Sequence, residues 1–466
     1  MNDNGDIQAK TRDRSIALAV LTAIASKCGT LLLRLISIPV AIRTLELGLA
    51  EFGVYIAILT IVTMVDLLHV GIGPALTQRL SKAHTEGNIE AQKRVVATSM
   101  VLSISLTALF GAILAIVIWK VPIPVLFGEK FAPFADSMKT ACWLALVIIA
   151  VEFICILIDR ARDGYMETRI SNLWGAAGNV AGAIVLFVGI RYFPTISFLI
   201  LAVNGSVAAA KLANTIHFFA KRRFLTRWIA NFDRSLVKPL ALAGLVFTVT
   251  YSLSAMVEYS GLNYLVGRYL GPSAAATAGI FVTIHVSLNG ILQMFTVPAW
   301  PALIDARGRG DFEWVRKTGA RLQILAVLFG LGAIGGIALL GPWGIPLWIG
   351  EEVVLDRVGM IGFACFFAAH LWRHGNQILL LGFDREKSVA RVLLVEGAVV
   401  LAVAWSILHF GGTLSTVYFG GAAAILLVTG WNFPLRFRGL IRQESEPEDH
   451  PIESTGLVRN TDPVGS

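Results

Sequence analysis

Charge is what this sequence has least of. Only 15% of its 466 residues are Asp, Glu, Lys or Arg, against about 25% in soluble domains. A soluble chain of this length would need more polar surface. Soluble enzymes, nucleic-acid binders and secreted disulfide scaffolds are therefore excluded as readings of the whole chain. Cysteine is also scarce. Cys28, Cys142, Cys155 and Cys365 each lie in apolar runs, with no CxxC and no Cys/His zinc spacing, so they read as small buried hydrophobes. No G-x-x-x-x-G-K-[ST] loop is present, which excludes ATP hydrolysis at a Walker site. The polar start of the chain lacks a cleavable signal pattern.

Apolar runs are what the chain has in abundance. Twelve segments have the roughly 20 mostly apolar residues that a membrane-crossing helix needs. They cover about 16–42, 52–76, 95–119, 138–158, 172–190, 195–220, 239–263, 277–300, 321–341, 355–382, 388–410 and 414–433. The expected fold is all-α and polytopic. The connections are too short to hold a soluble catalytic domain. With the N-terminus inside, 28 of the 39 basic residues fall on the inner side and seven in outer loops, among them Arg43 and Arg268. This asymmetry predicts both termini in the cytoplasm and absorbs most of the net charge of +8. The tail from about 443 carries Glu444, Glu446, Glu448, Asp449 and Glu453 among Pro, Ser and Gly, a composition that predicts disorder.

The sequence repeats itself. Ile-Pro-Val-Leu-Phe-Gly-Glu at 123–129 matches Ile-Pro-Leu-Trp-Ile-Gly-Glu at 345–351. Gly53-Val-Tyr-Ile-Ala-Ile matches Gly279-Ile-Phe-Val-Thr-Ile, and Pro74-Ala-Leu matches Pro301-Ala-Leu. The offset, 222 to 227 residues, equals six spans. Six is even, so equivalent helices run the same way. Such a parallel repeat predicts two bundles around a central cavity near the midplane, rocking to give alternating access. The expected organisation is an N-tail over 1–15, a six-helix bundle over 16–229, a second over 230–440 and the acidic tail over 441–466.

Polar residues inside the spans form stripes. Lys27, Thr30, Arg34 and Ser37 share one face of span 1; His285, Asn289, Gln293 and Thr296 share one face of span 8. Span 2 carries Thr63, Asp66 and His69; span 6 carries Asn204, Lys211 and Thr215; span 7 carries Tyr251, Ser254 and Glu258; span 10 carries His370, Arg373, His374 and Gln377. A charge at this depth costs about 2.5–3.5 kcal/mol even on the lenient insertion scale, so these groups should face a wet interior. The structural alternative is pairing, of Lys27 or Arg34 with Asp66, or of Arg373 with Glu258. Glu152 and Glu396 stand more alone, and pairing is their default reading. His370 and His374 have the spacing of a zinc pair, but Arg373 between them repels a cation and suits an anion. Spans 3 and 9, which carry no ionisable residue in their apolar stretches, can face lipid.

Leu47-Gly48-Leu49-Ala50-Glu51-Phe52-Gly53-Val54-Tyr55, then Asp66 and Gly71-Ile-Gly-Pro-Ala-Leu-Thr-Gln-Arg79, resemble the polysaccharide-exporter branch of the multidrug/oligosaccharidyl-lipid/polysaccharide flippase superfamily, which includes O-antigen flippases. His69-Val70, between Asp66 and Gly71, departs from the family's spacing. The resemblance implies an inner-membrane flippase carrying an undecaprenyl-diphosphate-linked oligosaccharide to the periplasmic leaflet, with a glycan polymerase and export machinery as partners. It implies diphosphate anchors at Lys27 and Arg34, to which the stripes add Arg373 and Lys211. Asn263, His285, Asn289, Gln293, His370 and His374 then line the sugar cavity. Asp66 or Glu258 would bind a coupling proton or sodium ion, and no cofactor is implied. Two rivals stay open: an ion-coupled drug/cation antiporter of the same superfamily, kept alive by the two acids, and a membrane glycan polymerase, disfavoured by the short outer loops.

Overall fold

A computed structural model of the chain describes residues 29, 33, 35–45, 48–69, 72–247, 256–296, 299–350 and 356–445. Among these residues there is no strand, and each of the twelve apolar segments coincides with helix in its described part. Eight described helices are long and apolar enough to cross a membrane, so the chain is a multi-pass membrane protein. Backbone hydrogen bonding inside each helix is what allows the main chain to sit in hydrocarbon.

In the first half the helices are α1 (Leu35–Thr44), α2 (Leu49–His69), α3 (Ile72–Thr85), α4 (Ile89–Lys120), α5 (Ile123–Phe127), α6 (Ala135–Gly164), α7 (Thr168–Gly189) and α8 (Ile196–Lys221). In the second half they are α9 (Arg234–Phe247), α10 (256–270), α11 (Pro272–Thr296), α12 (Ala299–Gly308), α13 (Phe312–Ile349), α14 (Arg357–Leu381), α15 (Glu386–His409) and α16 (Leu414–Ser445). Spans 2 and 8, read from sequence as running to 76 and 300, end earlier. A second helix starts just after each, α3 and α12, and carries the matching Pro-Ala-Leu. α3 is amphipathic: Ile72, Ala75, Leu76, Leu80 and Ala83 are buried at helical spacing. A count of apolar runs misses such a helix because its outer face is polar.

The repeat is visible in the backbone. A π turn interrupts α8 at Leu201–Gly205 and α16 at Leu426–Gly430, equivalent places in spans 6 and 12. The Ile-Pro elements differ locally. Pro122 follows the extended Val121 and stops α4, so 123–127 is a separate short helix, whereas 345–349 continues α13. Both elements end at a glycine with positive φ, Gly128 at 108° and Gly350 at 122°. Each glycine N–H donates to the proline carbonyl four residues back, at 2.8 Å and 2.7 Å.

Packing follows the halves. α6 packs on α3, α4 and α8 in the first, and α14 on α13 and α16 in the second. The seam is made chiefly by α2 against α11 and α10. Small residues let it close: a Cβ on Gly53 would lie 1.8 Å from the Pro272 carbonyl oxygen, and one on Gly279 would lie 2.7 Å from the Ile56 side chain. These are the two glycines that the sequence repeat aligns. α4 and α13 turn Leu109, Ile113, Ile116, Leu328, Leu331 and Leu339 outward, a lipid-facing surface as expected for spans 3 and 9.

Candidate functional site

Among the described residues, polar side chains of the spans gather most densely in the second half. In the second half, α10, α11 and α14 bring Tyr259, Asn263, His285 and His370 together. The α10 segment opens with a π turn, Met256–Gly261. The extra residue in that turn changes which side chains face inward. Tyr259 Oη lies 2.8 Å from His285 Nε2. His370 Nδ1 donates to the Phe366 carbonyl at 3.1 Å, because a carbonyl can only accept. The His285 and His370 rings meet edge to face at 5.0 Å, and Tyr259 stands 5.7 Å from His370. Phe363, Phe366, Phe367 and Tyr418 enclose them.

Asn263 ties this cluster to the first half. Its Nδ2 donates to Thr60 Oγ1 on α2 at 2.9 Å. Its Oδ1 is buried without a hydrogen-bond partner and belongs to a residue lining a cavity of about 20 Å³ together with Tyr259 and His285. That volume suffices for one water, and a water there would satisfy the amide oxygen. His374 faces elsewhere, with Nε2 3.0 Å from Thr296 Oγ1. Asn289 and Gln293, on the same stripe as His285, are half-buried.

The intramembrane cations within the described residues are held by carboxylates. Arg373 donates to Glu396 Oε1 at 2.6 Å, and the Thr429 hydroxyl, in the π turn of α16, donates to Glu396 Oε2. Lys211 lies 3.1 Å from Glu152. Glu396, one span further on, is thus a partner of Arg373, whereas the sequence-based alternative, Glu258, has its side chain outside the described residues. The expectation that Arg373 and Lys211 anchor a diphosphate meets the same fact. Each already has its charge opposed by a carboxylate, with which an incoming anion would compete. Lys27 and Arg34 lie outside the described residues, as do the side chains of Asp66 and Glu258.

No family model matches the sequence, and no curated protein matches it. Solved structures do. An inward-facing multidrug resistance MATE family transporter of the MOP superfamily superposes with a TM-score of 0.77 at 15% identity, covering 91% of this chain and 99% of that one. The fold is that of the MATE transporters. An outward-facing MATE structure gives a TM-score of 0.63 at 13% identity, over 92% of this chain and 96% of that one. A MOP superfamily transporter from Pyrococcus furiosus, described as having a binding pocket of reversed polarity, gives 0.61 at 13% identity, over 93% and 96%. On this MATE-type fold, the His-Tyr-Asn cluster lies in the second half and touches the seam through Asn263.

Sequence reading missed three parts of the site. Tyr259 escaped because the π turn breaks the 3.6-residue period that defines a stripe. Thr60 lacks any charge to mark it. The Arg373–Glu396 pair joins α14 to α15, and spacing along one helix carries no information about a partner on the next.

Proposed function

We propose that the chain is a transporter that moves an amphipathic organic solute across the cytoplasmic membrane by alternating access of its two six-helix halves, spanning 16–229 and 230–440, with both termini in the cytoplasm. The single observation that carries this reading is the MATE-type fold over nine-tenths of the chain, with a seam that two repeat-equivalent glycines close. Multidrug-type substrates fit best. The described interior holds a buried aromatic and imidazole cluster that opening of the halves would have to expose, while its two described cations are already paired with carboxylates. Aromatic rings bind flat or cationic organic molecules through their faces. His285, His370, Asp66 and Glu258 are the candidates for coupling to a proton or sodium gradient.

One observation favours a second substrate class. The span 1 stripe of Lys27, Thr30, Arg34 and Ser37 suits a lipid-linked diphosphate sugar, whose lipid tail could stay in the bilayer while the headgroup crosses.

Proteoliposomes separate the two. With an imposed proton or sodium gradient, ethidium should accumulate or be expelled at a rate that collapses when the gradient is removed. If ethidium is inert while a fluorescent undecaprenyl-diphosphate oligosaccharide changes leaflet only when protein is present, and Lys27→Ala with Arg34→Ala stops it, the second class is right. Protein that moves neither molecule defeats the proposal.

A further inference from the structure

The repeated Ile-Pro elements and two outer-loop arginines have no role in the site described above, yet the fold joins them twice in the same way. Arg43, at the end of α1, reaches across to the C-terminal end of α13. Its Nε donates to the Ile349 carbonyl at 3.3 Å, and its Nη2 to those of Leu347 and Trp348 at 3.2 and 3.3 Å. Arg268, at the end of α10, reaches the other way. Its Nη1 donates to the Val125 carbonyl at 2.7 Å and to that of Leu126 at 3.3 Å, on α5. Arg43 and Arg268 are 225 residues apart, and Val125 and Leu347 are 222 apart, so the two contacts are repeat copies of one another. Each joins opposite halves. Each guanidinium caps carbonyls that a helix end leaves without partners, where positive charge is favoured. Gly128 makes its approach possible, since a Cβ there would sit 2.4 Å from the Arg268 carbonyl oxygen; at Gly350 a Cβ would meet Arg43 Nε only at an ordinary 3.6 Å, and what calls for glycine is its φ of 122°.

We propose that Arg43 and Arg268 are a paired, pseudo-symmetric latch that holds this end of the two halves shut, and that both contacts break when the transporter opens toward this side. The inference rests on the alternating-access reading. By loop charge this end is the outer one, so the latched form is the inward-open state. Both arginines are exposed, so water can replace each contact as it opens, and the latch is reversible. Additional contacts of the same sense support it: Tyr264 Oη donates to the Leu126 carbonyl at 2.7 Å, and Trp348 Nε1 donates to the Leu35 carbonyl at 2.9 Å.

The test is a pair of spin-label distances in the full chain in nanodiscs. One pair of labels replaces Lys139 and Arg357 at the latched end, and the other replaces Glu86 and Arg309 at the opposite end. Charge-assisted hydrogen bonds of this kind set an open-to-closed ratio on the order of tenfold per arginine. Arg43→Gln with Arg268→Gln should therefore transfer population to longer 139–357 distances and shorter 86–309 distances, each single variant doing less. Arg43→Lys with Arg268→Lys, which keeps the charge but not the forked donors, should fall between. If ethidium or a sodium gradient shifts the wild-type distances but the double Gln variant behaves like wild type, the latch is wrong and alternating access survives. If neither distance moves in any variant or condition, the rocking reading fails with it. A double variant that does not fold leaves the Lys pair and the single variants to decide.

Discussion

Each half of this protein carries one described cation inside its spans, and the two are held differently. In the second half, the Arg373 side chain is 10% exposed and Glu396 is fully buried, and the carboxylate is bonded at both oxygens, by Arg373 and by Thr429. In the first half, Lys211 is 23% exposed and Glu152 12%. The bidentate-capable guanidinium sits where the carboxylate is dry, and the single-point ammonium where water is nearer. A dry ion pair loses much when one partner is removed, because the survivor keeps its desolvation penalty. A wetter pair loses less, because water takes the vacated place. The second half thus has a rigid charged joint between α14, α15 and α16, and the first half has a looser one between α6 and α8.

Four expected outcomes can break or sharpen that contrast. The largest belongs to Glu396→Ala, which strands Arg373. A loss of about 3–5 kcal/mol is expected, read as a large fall in the detergent-solubilised melting temperature. Glu152→Ala should cost less, roughly 1–2 kcal/mol, between the values for surface and buried pairs. Equal losses for the two variants would erase the distinction between the halves.

Next comes a pH effect outside the membrane spans. Burial pushes the Glu167 carboxyl up, but hydrogen bonds and charge from Arg222 and Arg162 outweigh it and hold the group below the usual carboxylate range. Its contribution to stability is therefore present above the ordinary Glu value of about 4.3 and disappears as pH falls through the lower folded value. Thermal unfolding between pH 5 and 3 should show a fall in stability that Glu167→Gln flattens. This tie links the loop after α6 to the end of α8 through one carboxylate between two arginines, at 2.8 and 2.7 Å. The second half inverts the signs, with Arg307 between Asp384 and Glu444 at 2.8 and 2.7 Å.

The smallest change is expected for the double variant Arg373→Met/Glu396→Leu. Replacing both buried charges with apolar side chains leaves no ion stranded, so stability should return to within about 1–2 kcal/mol of wild type. Transport measured on that variant then separates a structural joint from a substrate contact. Unchanged ethidium flux would place the pair outside the binding surface. Loss of flux at near-native stability would put Arg373 back among the residues that handle the substrate.

Much of the fold was legible in the sequence. Continuous apolar runs mark spanning helices because hydrocarbon admits little else, and the Gly53/Gly279 and Ile-Pro matches exposed the repeat. The site was legible only in outline. His285, His370 and Asn263 were identified because polar side chains are conspicuous against an apolar background, and the structure brings these three together. The stripe logic did less well where the helix is irregular: on span 7 it favoured Tyr251, Ser254 and Glu258, and the π turn at 256–261 brings Tyr259 into the site.

By itself, then, the sequence determined the spans, their number and the internal duplication, because burial in lipid and helical period act residue by residue along the chain. Tertiary structure alone decided which charges meet. Glu396 for Arg373, Glu152 for Lys211, and the carbonyls at 125–126 and 347–349 for Arg268 and Arg43 are all choices between neighbouring helices or opposite halves. Those pairings depend on packing distances of a few ångströms that no local pattern encodes.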